Sequence, residues 1–183
     1  RGHGKSSPVS EIHYEDMADD VYRFIKHNDI KNPVIYGFSD GGIVALLLSI
    51  KYPDLFERVI VSGVNVNPNG IKTKWLILFK IIYFFTRSEK YKMMLTEPDI
   101  RPCHLERITA PVDIICGSRD MIKNSHMKEI SDHIRNSTYT ELIGETHGSY
   151  IIHTDKIARI ITKKVSRDVI ERVSYMEELF DIL

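Results

Sequence analysis

Gly37-Phe38-Ser39-Asp40-Gly41 lies between a short β-rich run and a helical stretch. This is the G-x-S-x-G pattern in the setting that gives it chemical meaning: a strand, a sharp turn, then a helix. A serine at the tip of so tight a turn takes an unfavourable backbone conformation, and side chains two positions away on either side would collide. That is the steric role expected of Gly37 and Gly41. The turn lifts the Ser39 hydroxyl into the open at the amino end of a helix, whose partial positive charge favours a developing oxyanion. The backbone N–H of Asp40, the residue after the nucleophile, is the expected oxyanion donor, and Gly42 lets the helix pack closely. Such a pentapeptide also arises by chance as a plain turn, so its weight depends on what accompanies it.

A serine hydroxyl is a poor nucleophile at neutral pH and needs a base, and the base needs a group that fixes its tautomer and steadies its charge. Two later segments supply these types in order. Gly117-Ser118-Arg119-Asp120 follows the apolar run Val112–Cys116, and Gly144-Glu145-Thr146-His147-Gly148 follows Thr138–Ile143. Each places its polar residue just beyond the carboxyl end of a strand, where ligands meet a parallel sheet. The bland readings are an N-cap for Asp120, given the capping preference of aspartate, and a solvated loop residue for His147. Of the eight histidines, His13, His27, His126, His133 and His153 lie in or beside helical stretches with charged neighbours and read as surface residues. His104 is a candidate to face a pocket. No pair of histidines or cysteines has metal-ligand spacing, so no metal is expected.

The elements that must position these residues follow from periodicity. After a Gly/Ser-rich opening, Tyr14–Asn28 carries Met17, Val21, Phe24 and Ile25 at helical spacing. Pro33 introduces Val34-Ile35-Tyr36, the turn follows, and Gly42–Lys51 is apolar and helical. Strands are expected in Phe56–Ser62, Val112–Cys116 and Ser137–Ile143, with a helix over Ser125–Arg135 and one or two helices from Thr154 to about Leu183. Alternating strands and helices predict an α/β fold, a mostly parallel sheet with helices on both faces. Val64–Arg107 breaks the rhythm and reads as an insertion above the sheet, within one domain spanning residues 1–183. Its apolar run Trp75–Phe85 is about eleven residues, short of the roughly 20 that a membrane span needs.

Composition narrows the partners. The chain has 183 residues, with 25 basic and 25 acidic side chains and no formal net charge. Nothing in that balance recruits nucleic acid, and a small-molecule substrate fits better. Two cysteines, Cys103 and Cys116, make a disulfide framework unexpected and favour a cytoplasmic setting.

With the serine turn, Asp120, His147 and the opening Arg1-Gly2-His3-Gly4-Lys5-Ser6 in this order, the chain resembles the α/β-hydrolase superfamily from Arg1 to about Lys164. It is most similar to small single-domain members with a lid, here Val64–Arg107. The resemblance implies Ser39 as nucleophile, Asp120 as acid and His147 as base, acting on a small carboxylic ester or related acyl substrate without a cofactor. C–C bond hydrolases and haloperoxidase-like enzymes are the alternatives inside the superfamily. A truncated, non-catalytic hydrolase-fold module is the alternative of a different function class. Phe38, Trp75 and Phe79 are the expected substrate contacts, with Leu78, Ile82 and Phe85 as further apolar walls, although an apolar helical stripe is equally a core-packing feature. Members usually begin with three further strands, and the loop after the third supplies a second oxyanion N–H. The sequence from Arg1 onward contains none of these strands, so Val34–Phe38 is expected to show an open edge, completed by an amino-terminal segment or by a partner chain such as a second copy. Lys72, Lys74, Lys80 and Arg87 flank the apolar run in a pattern that suits contact with a membrane surface.

Overall fold

The computed structural model describes residues 1, 5–7 and 9–165. It separates into two compact units, residues 1–147 and the residues from Gly148 onward. In the second unit, turns lead into a helical stretch over 156–165, and the Ile157 N–H donates to the Tyr150 carbonyl at 3.2 Å. The helices expected beyond residue 165 lie outside the described residues.

The first unit opens with helix α1, Tyr14–His27. Acidic Glu15 and Asp16 in its first turn and Lys26 and His27 in its last complement the helix dipole. Tyr14, Ala18 and Ile25 turn inward, whereas Phe24 faces solvent. Strand β1, Val34–Phe38, starts directly after Pro33, and helix α2, Asp40–Lys51, follows after Ser39 alone. Residues 42–50 of α2 are all buried, which explains its lack of a polar face: it is the central helix of the core.

Strands β2, Arg58–Ser62, β3, Val112–Gly117, and β4, Ser137–Leu142, complete a sheet of order β1-β2-β3-β4, parallel throughout. The residues of β3 are buried without alternation, as in a parallel strand covered on both faces. The buried Asp113 carboxylate inside it is satisfied by Arg58 Nη1 at 2.7 Å and by the Thr138 hydroxyl. Among the described residues, β1 pairs with β2 alone, so its other side is an open edge. Register decides where the loops emerge. Phe38 pairs with Ser62, Ser62 with Ile115, and Gly117 with Leu142, so the carboxyl ends of all four strands form one rim.

Between β2 and β3 the chain adds no strand to the sheet. It makes a 3-10 turn, Pro68–Gly70, and helices α3, Thr73–Thr86, α4, Glu89–Thr96, and α5, Pro102–Leu105. Helix α6, Asn124–Asp132, then links β3 to β4. The base of the β2–β3 segment is stitched to the loop after β3. Ile71 and Ile122 form an antiparallel bridge, the Lys72 N–H donates to the Met121 carbonyl at 2.9 Å, and the Lys123 N–H donates to the Gly70 carbonyl at 2.8 Å.

Candidate active site

Ser39 occupies the left-handed region at φ 53°, ψ −119°, a strained state for any residue with a Cβ. The turn closes so tightly that a Cβ on Gly37 would lie 2.2 Å from the Gly41 carbonyl oxygen, so position 37 must be glycine. The same argument fails at Gly41, which is exposed and where an added Cβ would meet nothing within 4 Å. The expectation of a symmetric steric role for the two glycines is therefore corrected: Gly41 turns toward open space, and the crowded partner is Gly42. There a Cβ would stand 3.2 Å from both the Gly37 carbonyl and Val64. The N–H groups of Gly42 and Ile43 both donate to the Ser39 carbonyl. The Asp40 and Gly41 N–H groups come too early in the helix to have an intrahelical acceptor, and they carry its positive end.

His147 bridges the other two residues. Its Nδ1 stands 2.7 Å from Asp120 Oδ1 and its Nε2 3.1 Å from Ser39 Oγ. With Asp120 ionised, Nδ1 carries the proton and Nε2 is left as the acceptor for the serine hydroxyl. Asp120 is almost fully buried, and the same Oδ1 accepts the Ile122 N–H at 2.9 Å. The N-cap of α6 is Lys123, so Asp120 does not cap that helix. The Lys72 ammonium donates to the Asp120 carbonyl, fixing the backbone that carries the carboxylate.

Three further residues hold the surroundings of the array: Gly63 and Tyr14, to which sequence reasoning assigned no role in the site, and His126, which it placed at the surface. Gly63, the first residue after β2, adopts φ 58° beneath the imidazole, where a Cβ would fall 2.8 Å from His147 Cε1 and 2.9 Å from Nδ1. A Ser-Gly pair closing an apolar run was the available signal. Tyr14 is buried, and its hydroxyl donates to Asp40 Oδ1 at 2.7 Å, holding the residue after Ser39. Burial raises the Tyr14 phenol far above its ordinary value, with the Asp40 charge adding to the effect, so it remains a donor at any ordinary pH. The Tyr14 N–H in turn donates to Glu97 Oε2 at 3.2 Å, and Glu97 also meets His13. The third is His126. Read from sequence as a surface residue, it is instead buried, because its ring packs against Gly70 and its Nε2 accepts the Val66 N–H at 3.1 Å.

A cleft of about 680 Å³ opens beside Ser39 and follows the free side of β1, lined among others by Met17, Val21, Ile35, Phe38, Asp40 and Gly41. Phe38 also leans on the imidazole, with ring centroids 4.8 Å apart. Trp75 and Phe79 do not line this cleft. Phe79 is buried against Tyr91, 5.7 Å between centroids, and Trp75 packs half-buried on the core, because that face of α3 is used for packing. Leu78 and Phe85 are exposed. His104 borders a different cleft, with Leu47, Ile50 and Arg107.

Known proteins fit this picture. The chain is 27% identical to 3-oxoadipate enol-lactonase 2 of Acinetobacter baylyi over 190 aligned residues, covering 82% of this chain and 70% of that relative. It is 25% identical to the serine hydrolase BPHL of Homo sapiens, covering 87% of this chain and 65% of that protein, so it spans about two thirds of the length of these relatives. Among solved structures, a carboxylesterase from Nitrososphaera gargenis superimposes with a TM-score of 0.75 at 17% identity, covering 93% of this chain and 79% of that one, a likeness of fold. The sequence model of the alpha/beta hydrolase fold matches residues 1–92, the half of the chain that carries the strand, the serine turn and the buried helix, and the protein belongs to that family of hydrolases.

Proposed function

We propose that the protein hydrolyses a small carboxylic ester or related acyl substrate, with Ser39 as nucleophile, His147 as base and Asp120 as the orienting acid. The observation that carries this reading is the single imidazole within hydrogen-bond reach of both the hydroxyl and a buried carboxylate. His147 Nε2 takes the Ser39 proton as Oγ attacks the carbonyl carbon. The Asp40 N–H receives the developing oxyanion, and the protonated imidazole then passes its proton to the leaving alcohol. Water, activated by the same nitrogen, releases the acid and restores Ser39. Relatives named for enol-lactone and carboxylester hydrolysis support an ester carbonyl as the target. The cleft beside Ser39, with Phe38, Met17 and Val21 on its walls, suits an apolar acyl group.

In this proposal β2 is followed by a lid, Val64–Arg107, whose base is tied to the Asp120 loop. The open side of β1 accepts an extended segment, from elsewhere in the protein or from a second copy, and that segment brings the second oxyanion N–H. A cytoplasmic setting agrees with two free thiols, Cys103 and Cys116.

A fluorophosphonate probe tests the assignment. Ser39 should be labelled, and Ser39→Ala and His147→Ala should each abolish labelling. Asp120→Asn should lower kcat on p-nitrophenyl butyrate by about 10⁴, because the wrong tautomer of His147 is then held. Labelling that persists in the alanine variant at position 39 would exclude this nucleophile.

A further inference from the structure

Helix α3 has two apolar faces, and the protein uses one. Phe79 is buried, and Trp75 and Leu76 pack on the core. On the other side Ile77, Leu78, Ile81, Phe84 and Phe85 are between 41 and 78% exposed. At about 100° per residue these five positions fall within one arc of about 120°. A surface helix ordinarily presents polar residues on that arc, and a contiguous apolar stripe there marks a surface with a partner.

The charges around the stripe identify the partner's chemistry. Lys74 and Lys80 lie on the helix and Arg87 is its C-cap, and no acidic residue occurs from Thr73 to Ser88, in a chain whose charges balance overall. Each end carries a cation on an aromatic ring. Lys74 Nζ is 5.8 Å from the Trp75 centroid, and the Arg87 guanidinium is 5.6 Å from that of Phe84. Long basic side chains beside aromatic rings, flanking aliphatic ones, match a bilayer surface, where the apolar arc enters the acyl boundary and the cations meet anionic headgroups. A second copy of the same helix would bring like charges together, which disfavours self-pairing. Lys72 takes no part, since its ammonium is committed to the Asp120 carbonyl. The helix is about 21 Å long, less than the roughly 30 Å of a hydrocarbon core, so it lies along the surface. Among the described residues no helix is long and apolar enough to cross a membrane.

We propose that α3 is a docking element for an anionic lipid bilayer, laid flat with Ile77, Leu78, Ile81, Phe84 and Phe85 inserted and Lys74, Lys80 and Arg87 at the headgroups. This assignment does not depend on the hydrolase chemistry, and its test reads lipid binding alone.

The full chain is sedimented with phosphatidylcholine vesicles made with and without phosphatidylserine, at low and high salt, beside a light-scattering measurement without lipid. Expected is salt-sensitive binding to the phosphatidylserine vesicles. It should be lost in Phe84→Glu and weakened about tenfold or more in the double variant Lys74→Glu, Lys80→Glu. Unchanged circular dichroism of each variant separates lost docking from lost fold. Absence of binding by the parent chain overturns the proposal, as does equal binding by parent and Phe84→Glu. A lipid-free dimer that Phe84→Glu dissolves, with no vesicle binding, also overturns it and assigns the face to a second copy.

Discussion

At the scale of single residues, the site depends on glycines as much as on the residues with functional groups. Gly63 has no side chain because the His147 ring occupies the space, and its positive φ already disfavours any other residue. Gly63→Ala therefore cannot be accommodated without moving the imidazole from between Ser39 Oγ and Asp120 Oδ1. The expected result is a loss of kcat of about 10²-fold or more with KM little changed, together with slower fluorophosphonate labelling. Normal turnover in this variant would mean that the His147 loop adjusts freely. Gly37→Ala should instead act on the fold: the clash is with backbone, which cannot step aside, and the cost of about 3 kcal/mol or more should appear in urea unfolding. Ser39, Asp120, His147 and Gly37 were readable in the sequence because their spacing reports a turn and two strand ends. Gly63, Tyr14 and His126 were not, since each matters through a neighbour distant in the chain.

At the scale of elements, the β2–β3 segment and the acid-bearing loop behave as one stitched piece, and His126 is one of the stitches. To accept the Val66 N–H at Nε2 it must be neutral, and burial depresses its pKa below the ordinary 6.5. Glu129, reaching Nδ1 at 3.8 Å, partly opposes this, and Lys123 reinforces it. With the folded value lowered, the unfolded chain takes up the proton first. The stabilisation is therefore whole above pH 6.5, declines as pH falls below that value, and levels off once the folded ring also protonates. His126→Gln keeps an acceptor but does not titrate. Urea unfolding across pH 5 to 7 should show a shallower loss in the variant than in the parent, and identical slopes would remove His126 from the account. Element boundaries were mostly legible. The helix expected over Ser125–Arg135 runs from Asn124 to Asp132, and the strand expected over Ser137–Ile143 ends at Leu142. The antiparallel bridge of Ile71 to Ile122 left no periodic trace, because a single bridge imposes no pattern.

At the scale of the whole molecule, the open side of β1 is the feature with the largest consequence. An apolar edge strand beside a long cleft is a template for another extended segment. If a second copy supplies it, the average mass by light scattering should rise with concentration, and Ile35→Lys, which sets a charge in the groove, should return the protein to monomer. A chain that stays monomeric at high concentration and still turns over p-nitrophenyl esters at a rate typical of complete hydrolases would show that no added strand is needed. What the sequence by itself determined is local and ordinal: a strained serine turn, the parallel α/β order, and an aspartate and a histidine after successive strands. Periodicity and turn chemistry act over a few residues and so are written in the chain. Tertiary structure decided which face of α3 is left uncovered, that Gly63 floors the imidazole, and that Lys72 and His126 bind the β2–β3 segment to the Asp120 loop. These depend on how distant backbones pack and register, which no short window of sequence encodes.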